Sequence, residues 1–232
     1  MKKVLIFLIF ININCYGGFK EELTSPVTTS ARTPFLISSG LTLTSVFFQH
    51  SVGDPILENA SQDKPLGRYS KYGDLMGHLV PNGLYILGMG LDGYLRDATH
   101  YQNALVMFKA TVYAAAICTI LKYSVQEKRP GSDNKRSFPS GHSTTAFAFA
   151  SVAAAYHAWP WGVGAYSIAG LVGYSRLNDN AHYLHDVLAG ATIGIGYGLG
   201  LYYLANNESS STAVYLLPTI DGPPHLQVNF SF

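Results

Sequence analysis

The chain has 232 residues, which is enough for one domain with a substantial core. Apolar residues make up 48% of the chain and charged residues 12%, so the chain is more apolar than a typical soluble domain. The formal net charge is only +1, and this argues against a general binder of nucleic acid.

The N-terminus has the pattern of a secretory signal. Lys2 and Lys3 form a basic end, and the apolar stretch from Val4 to Ile13 is too short to span a bilayer. Cys15 and Gly17 are small residues placed before a plausible cleavage point. The sequence therefore predicts a signal peptide over residues 1–17 and export to the bacterial envelope, with an uncleaved anchor as the alternative.

Residues 18–34 are polar and predict a flexible lead-in to a helical domain over residues 35–205. Apolar periodicity favours an all-α bundle of about six helices. The candidate helices cover residues 35–49, 75–92, 102–123, 142–158, 162–175 and 186–204. The polar stretch from Gly53 to Asp74 carries turn signals and predicts a loop.

The C-terminal segment, residues 206–232, changes to a strand pattern. Leu226, Val228, Phe230 and Phe232 alternate with polar residues, and residues 213–220 offer a partner strand. We expect a short β-hairpin, turning at residues 221–224 and packed on the helical body.

Whether the domain enters a membrane stays open at this point. Residues 187–205 carry no charge over a length that can span a bilayer. The same segment is rich in Gly and Ala, which equally suit closely packed helices in a compact bundle. The balance favours a membrane-associated protein over a free periplasmic one.

His182 and Asp186 are the first candidate catalytic pair. Their spacing of four predicts one helical face, where the carboxylate would accept a hydrogen bond from Nδ1–H and leave Nε2 free to attack. The pair could also be half of a metal site, but no His or Cys cluster in the sequence supplies further ligands. The adjacent His185 is expected to point elsewhere.

The segment from Pro139 to His142 reads Pro-Ser-Gly-His and precedes a long apolar helix. Ser140 is a good N-cap, and Gly141 would let a phosphate approach the free backbone N–H groups. His142 would then lie beside the anion, where it could protonate a leaving oxygen.

Lys122, Arg129 and Arg176 are the candidate cations. If they converge, they would offset the charge of a phosphoryl group throughout its transfer. The other basic residues of the same loop are interpreted as solvated charges, namely Lys128, Lys135 and Arg136.

Three motifs occur in order: Lys-x6-Arg-Pro from Lys122, Pro-Ser-Gly-His from Pro139, and Ser-Arg-x5-His-x3-Asp from Ser175 to Asp186. Together they resemble the signature of the type 2 phosphatidic acid phosphatase (PAP2) superfamily. That superfamily includes bacterial acid phosphatases, lipid A phosphatases and vanadium haloperoxidases. The resemblance implies its α-helical core.

The resemblance also assigns roles by matched position. It implies that His182 is the nucleophile, Asp186 its orienting partner and His142 the general acid. The implied phosphate-binding groups are Lys122, Arg129, Ser140, Gly141 and Arg176. The superfamily uses no metal and no cofactor, so none is expected here.

These features predict a metal-independent phosphatase that hydrolyses a lipid phosphate monoester or diphosphate through a phosphohistidine. It would act in the periplasm or at the periplasmic face of the inner membrane. One alternative is a soluble periplasmic acid phosphatase acting on small phosphate esters. Two further alternatives are a vanadium haloperoxidase and a non-catalytic scaffold that binds phospholipid.

Overall fold

The computed structural model describes residues 18–207, 212–217 and 225–230. The predicted signal peptide lies outside these residues. The described residues contain nine α-helices, and the fold is predominantly helical, as predicted. The helices are α1 (Phe19–Thr28), α2 (Arg32–Phe47), α3 (Asp54–Asp63), α4 (Ser70–Gly77), α5 (Val80–Leu95), α6 (Thr99–Val125), α7 (Gly141–Tyr156), α8 (Trp159–Asn178) and α9 (Leu184–Asn207).

Two short strands follow the helices. Strands β1 (Thr212–Leu217) and β2 (His225–Phe230) pair antiparallel, with Val214 opposite Val228. The connecting turn predicted at residues 221–224 lies outside the described residues. The expected packing of this pair on the helical body stays a prediction.

Helix α9 lies at the centre of the bundle, where it packs against α1, α2, α6 and α7. Two glycines permit the close approach of α7. A Cβ at Gly190 would lie 2.4 Å from the carbonyl oxygen of Ser140, and one at Gly194 would lie 2.5 Å from that of Thr144. The small residues of this uncharged segment therefore serve helix packing.

Three helices lie where the sequence predicted a lead-in or a loop. The Asp54-Pro55 pair, interpreted as a turn, forms the first turn of α3, because proline tolerates the N1 position of a helix. Helix α3 then ends at Lys64, which adopts a left-handed conformation with φ of 43°. Helix α4 follows within the same polar stretch.

Helix α1 corrects the expectation of a flexible lead-in over residues 18–34. Its Glu22 is buried and forms an ion pair with the buried Lys109 of α6. The hydroxyl of Tyr113 donates a second hydrogen bond to Glu22, at 2.9 Å. The polar composition that suggested mobility therefore includes a carboxylate that ties α1 to the core.

We expect Glu22→Gln to destabilise the protein by about 3 kcal/mol, because it removes the negative charge that pairs with the buried Lys109. Glu21→Gln is the matched control, since Glu21 is exposed on the same first turn of α1. Chemical unfolding in detergent would measure both variants. Equal stability of the two would contradict a structural role for the buried pair.

Large apolar side chains are exposed along the outer helices. Phe47 on α2 is 86% exposed, Leu84 on α5 is 65% exposed and Trp159 on α8 is 78% exposed. By length and composition, α6 and α9 could each cross a membrane, although α9 is largely buried inside the bundle. The apolar exterior is what a lipid environment would cover.

Candidate active site

The motif residues come together because helix ends meet at one end of the bundle. Lys122 lies in the last turn of α6, and Arg176 lies in the last turn of α8. His142 lies in the first turn of α7, and Asp186 in the first turn of α9. Residues separated along the chain thus share one small region.

His182 and Asp186 are adjacent, but they do not share a helical face as predicted. Helix α9 begins only at Leu184, so His182 lies in the preceding turn, where Asn180 has φ of 54°. The Nδ1 atom of His182 is 3.4 Å from Oδ2 of Asp186. The imidazole is therefore oriented by the carboxylate through its Nδ1 edge.

Asp186 is itself held by two donors. Its Oδ2 accepts a hydrogen bond of 2.6 Å from the Ser137 hydroxyl and one of 2.8 Å from the backbone N–H of Tyr183. The carboxylate is fully buried. Ser137, which the sequence did not single out, thus helps to fix the carboxylate that orients His182.

The environment of His182 favours the neutral imidazole that a nucleophile requires. Burial lowers the pKa of His182 below its ordinary value, while Asp186 acts in the opposite direction. The positive charges of Arg129 and Lys122 lower this pKa further. Lys122 lies in the same region, because its Nζ donates to the carbonyl of Ser137 at 3.4 Å and the Ser137 hydroxyl lies 3.5 Å from Nδ1 of His182.

The Ser140 turn forms as predicted. Ser140 caps α7, and its hydroxyl accepts a hydrogen bond of 3.4 Å from the backbone N–H of Ser143. The backbone N–H of Ser140 donates to the carbonyl of Asp186 at 2.9 Å, which fastens the turn to α9. A Cβ at Gly141 would have only Lys122 nearby, at 3.9 Å, so the turn is accessible to a ligand.

Lys122 reaches over this turn from α6. Its Nζ donates to the carbonyl of Pro139 at 2.5 Å and to that of Arg136 at 3.0 Å. Arg129 differs, because its buried Nε has no hydrogen-bond partner among the described residues. A guanidinium nitrogen without a partner among the described residues is suited to an anionic ligand.

The neighbouring loop cations lie outward, as expected. Lys128 is 63% exposed and pairs with Asp133 at 2.6 Å. Arg136 lies over the ring of Tyr123, with its Cζ 4.7 Å from the ring centroid.

Arg176 is buried, and each of its three guanidinium nitrogens makes one hydrogen bond. Its Nε donates to the Ser175 hydroxyl at 3.1 Å, its Nη2 to Asp179 at 3.1 Å, and its Nη1 to Oδ1 of Asp74 at 2.7 Å. Asp74 lies on α4 and was not predicted as a site residue. A carboxylate oxygen therefore occupies the guanidinium edge that a phosphate oxygen would use.

His142 lies beside the same carboxylate. Its Nε2 is 3.1 Å from Oδ1 of Asp74. Burial and the nearby Arg176 lower the pKa of His142 to about 4, although Asp74 acts in the opposite direction. A bound phosphate would add negative charge at this point, which favours the imidazolium that a general acid requires.

Two glycines of α4 bring Asp74 to the site. A Cβ at Gly73 would lie 2.3 Å from the hydroxyl oxygen of Ser175, and one at Gly77 would lie 2.6 Å from Cδ2 of His142. Helix α4 can therefore pack directly against α8 and the start of α7. The signal in the sequence was the Gly-Asp-x-x-Gly spacing around Asp74, within a stretch interpreted as a loop.

His185 lies near the other oxygen of the carboxylate that orients His182, with its Nε2 3.5 Å from Oδ1 of Asp186. Its Nε2 lies 3.0 Å and 3.1 Å from the two carboxylate oxygens of Glu127. Its ring stacks on Tyr183, with centroids 5.4 Å apart. His185 thus connects the base of the loop that carries Arg129 to the start of α9.

Asp74→Asn should lower kcat about tenfold without raising KM. The substitution removes the negative charge that favours protonated His142, so it lowers the pKa of His142 and moves the alkaline limb of the pH profile to lower pH. A pH–rate profile measures this. Asp63→Asn is the control, because Asp63 is exposed. An unmoved alkaline limb in Asp74→Asn would contradict the role of Asp74 in favouring protonated His142.

Comparison with known proteins agrees with this geometry. The sequence model of the PAP2 superfamily matches residues 103–210, which include all three motifs. Over these residues, a little under half of the chain, the protein is similar to the PAP2 superfamily.

The chain is also similar to the lipid A 1-phosphatase of Porphyromonas gingivalis, with 39% identity over 91 residues. The match covers 37% of this chain and 20% of that protein, so it spans about a fifth of the relative's length. Among solved structures, Aquifex aeolicus LpxE has a TM-score of 0.48 with 22% identity, covering 66% of this chain and 96% of that one. A transmembrane PAP2-type phosphatidylglycerolphosphate phosphatase from Bacillus subtilis has a TM-score of 0.42 with 19% identity, covering 78% of this chain and 89% of that one.

Proposed function

We propose that this protein is a metal-independent phosphatase that hydrolyses a lipid phosphate monoester or diphosphate through a phosphohistidine. The observation that carries the proposal is the buried His182, which Asp186 orients at 3.4 Å, together with Lys122, whose Nζ donates to the carbonyl of the adjoining Ser137 at 3.4 Å. This arrangement supplies a nucleophile and charge compensation within one site.

In the first step, Nε2 of His182 attacks phosphorus and the bond from phosphorus to the ester oxygen breaks. Lys122, Arg129 and Arg176 offset the charge on the phosphoryl oxygens, together with the N–H groups of the Ser140–Gly141 turn. His142 gives its proton to the departing alkoxide, which leaves as an alcohol or, for a diphosphate, as a phosphate.

In the second step, water attacks the phosphohistidine. His142, now neutral, accepts a proton from this water, the bond between phosphorus and Nε2 breaks, and inorganic phosphate is released. The electron pair of that bond returns to His182, which Asp186 holds in the same orientation for the next cycle. Each histidine thus ends the cycle in its starting state.

A lipid substrate accounts for the apolar exterior. Exposed Leu, Phe and Trp side chains on α2, α5 and α8 would be covered by lipid in a membrane-associated enzyme. The relative from Porphyromonas gingivalis is named for lipid A, which makes a phosphorylated lipid the first substrate class to test. With export of the chain, the reaction would take place in the periplasm or at the periplasmic face of the inner membrane.

The same chemistry would serve a soluble periplasmic acid phosphatase, but such an enzyme would leave the exposed apolar side chains in water. A vanadium haloperoxidase would use the same cations to hold vanadate. No feature among the described residues favours halide oxidation over phosphate transfer.

Phosphate release in the presence of EDTA tests the proposal. The panel consists of an aryl phosphate, phosphatidic acid, an isoprenyl diphosphate and lipid A, each presented in detergent. We expect faster release from a lipid than from the aryl phosphate, and inhibition by vanadate. Loss of all activity in EDTA would contradict the metal-independent mechanism, and preference for the soluble ester would favour the acid phosphatase.

A further inference from the structure

Asp74, His78 and His142 place three metal-ligating atoms at the edge of the active site. One ligand atom from each lies within 4.8 Å of the other two. The distance is 3.1 Å from Nε2 of His142 to Asp74, and 3.4 Å from Nε2 of His78 to Asp74. We propose that these three residues form an inhibitory zinc site.

The donor set suits zinc in number and kind. Two imidazoles and one carboxylate are the ligands of many three-ligand zinc sites, which leave a fourth position for water. With bonds of about 2.0–2.1 Å, tetrahedral ligand atoms lie about 3.3 Å apart. The two distances above involve different oxygens of Asp74, Oδ1 for His142 and Oδ2 for His78, and one ligand atom from each residue lies within 4.8 Å of the other two. Asp74 and His78 are four residues apart on α4 and its C-terminal boundary, so both reach the same side.

Arg176 does not block this site. Its Nη1 donates to Oδ1 of Asp74, whereas Oδ2 is the oxygen nearest to His78. The charge of Arg176 is also offset by Asp179, at 3.1 Å. Asp74 can therefore keep Arg176 on one oxygen and offer the other to a metal ion.

An unsatisfied nitrogen distinguishes this cluster from its competitor. Nε2 of His142 is buried and lies 3.1 Å from Oδ1 of Asp74, but it makes no well-directed hydrogen bond among the described residues, so a metal ion would satisfy it. The described residues also hold a second cluster of Glu127, His185 and Asp186, but there Nε2 of His185 is already hydrogen-bonded to the carboxylate of Glu127. The site at His142 is therefore the favoured one.

Zinc bound here would inhibit the enzyme, a consequence that rests on the proposed function. Coordination occupies the Nε2 lone pair of His142, so this nitrogen can no longer carry the proton to the leaving group. The metal would thus lower kcat, and EDTA would restore it. Magnesium should have little effect, because it prefers six oxygen ligands.

Calorimetric titration of the metal-free full-length protein with zinc chloride tests the site directly, and aryl phosphate hydrolysis is measured on the same samples. We expect one zinc ion per chain and inhibition that EDTA reverses. His78→Ala should weaken zinc binding and inhibition at least about tenfold while keeping the metal-free activity. His50→Ala is the matched control, because His50 pairs with Asp54 at 2.9 Å with the same spacing but belongs to neither three-ligand cluster.

Equal zinc binding by the wild type and His78→Ala would overturn the proposal. Loss of binding in His185→Ala instead would place the metal at the competing cluster and would also overturn it. If the enzyme hydrolyses none of the substrates, calorimetry still decides whether zinc binds at His78. Failure of the metal site and failure of the proposed function are therefore distinguishable.

Discussion

We expect His182→Ala to abolish phosphate release, with a loss of at least about 10⁴-fold in kcat, because the variant lacks the imidazole that is proposed to form the covalent intermediate. The geometry supports this assignment, since His182 is the imidazole oriented by the buried Asp186. Steady-state hydrolysis of an aryl phosphate and a lipid phosphate would measure the loss.

The matched control is His185→Ala. His185 is also buried, lies three residues away and pairs with Glu127 rather than facing the cations. We expect kcat of His185→Ala to fall about tenfold or less. If His185→Ala were as inactive as His182→Ala, local structure rather than nucleophilic attack would explain the loss.

Trapping the intermediate separates these outcomes further. Rapid quenching of the wild type with labelled substrate should give a phosphoprotein that is stable in alkali and labile in acid, as expected for phosphohistidine. The label should be absent from His182→Ala and present in His185→Ala. Label on His182→Ala would show that another residue is the nucleophile.

The parts of this site that follow local rules could be predicted from the sequence. Ser140 caps α7 because a serine before an apolar helix offers its oxygen to a free N–H group two or three residues later. The end of α6 and the start of α7 likewise lie close to their predicted positions. Such signals depend on a few neighbouring residues, so one sequence contains them in full.

The contact between His182 and Asp186 was predicted, but the helical geometry predicted for it was wrong. A spacing of four suggested a shared helical face, whereas α9 begins at Leu184, so His182 lies before the helix and Asp186 within it. The two side chains are nevertheless in contact, because the hydroxyl of Ser137, from a different segment, holds Asp186 through a hydrogen bond. Helix spacing could not reveal a partner that the tertiary fold supplies.

Helix α4 could not be placed from its composition. The polar stretch around Asp74 has the turn signals of a loop, and its helical packing depends on Gly73 and Gly77 fitting against α8 and α7. The partners of Asp74 are Arg176 and His142, which are distant in sequence. Long-range ion pairs leave no periodic trace in one chain, so the sequence could not reveal the partners of Asp74.

His142→Ala should distinguish substrates by their leaving group. An alkoxide needs a proton as it departs, so hydrolysis of an alkyl phosphate should fall about 10³-fold. A nitrophenolate departs without a proton, so the first chemical step should be slowed only about tenfold. His142 lies beside Asp74, which also contacts Arg176. In the proposed mechanism, His142 donates the proton to the leaving oxygen from this position.

Hydrolysis of the phosphohistidine, the second step, should give His142→Ala a characteristic time course. Without His142 to accept a proton from water, the phosphohistidine should hydrolyse slowly and accumulate. Stopped-flow measurement should therefore show a burst of one nitrophenolate per active site, followed by slow turnover. The exposed His50→Ala should show wild-type kinetics. An equal loss on alkyl and nitrophenyl substrates, with no burst, would mean that His142 positions the phosphate rather than transferring the proton.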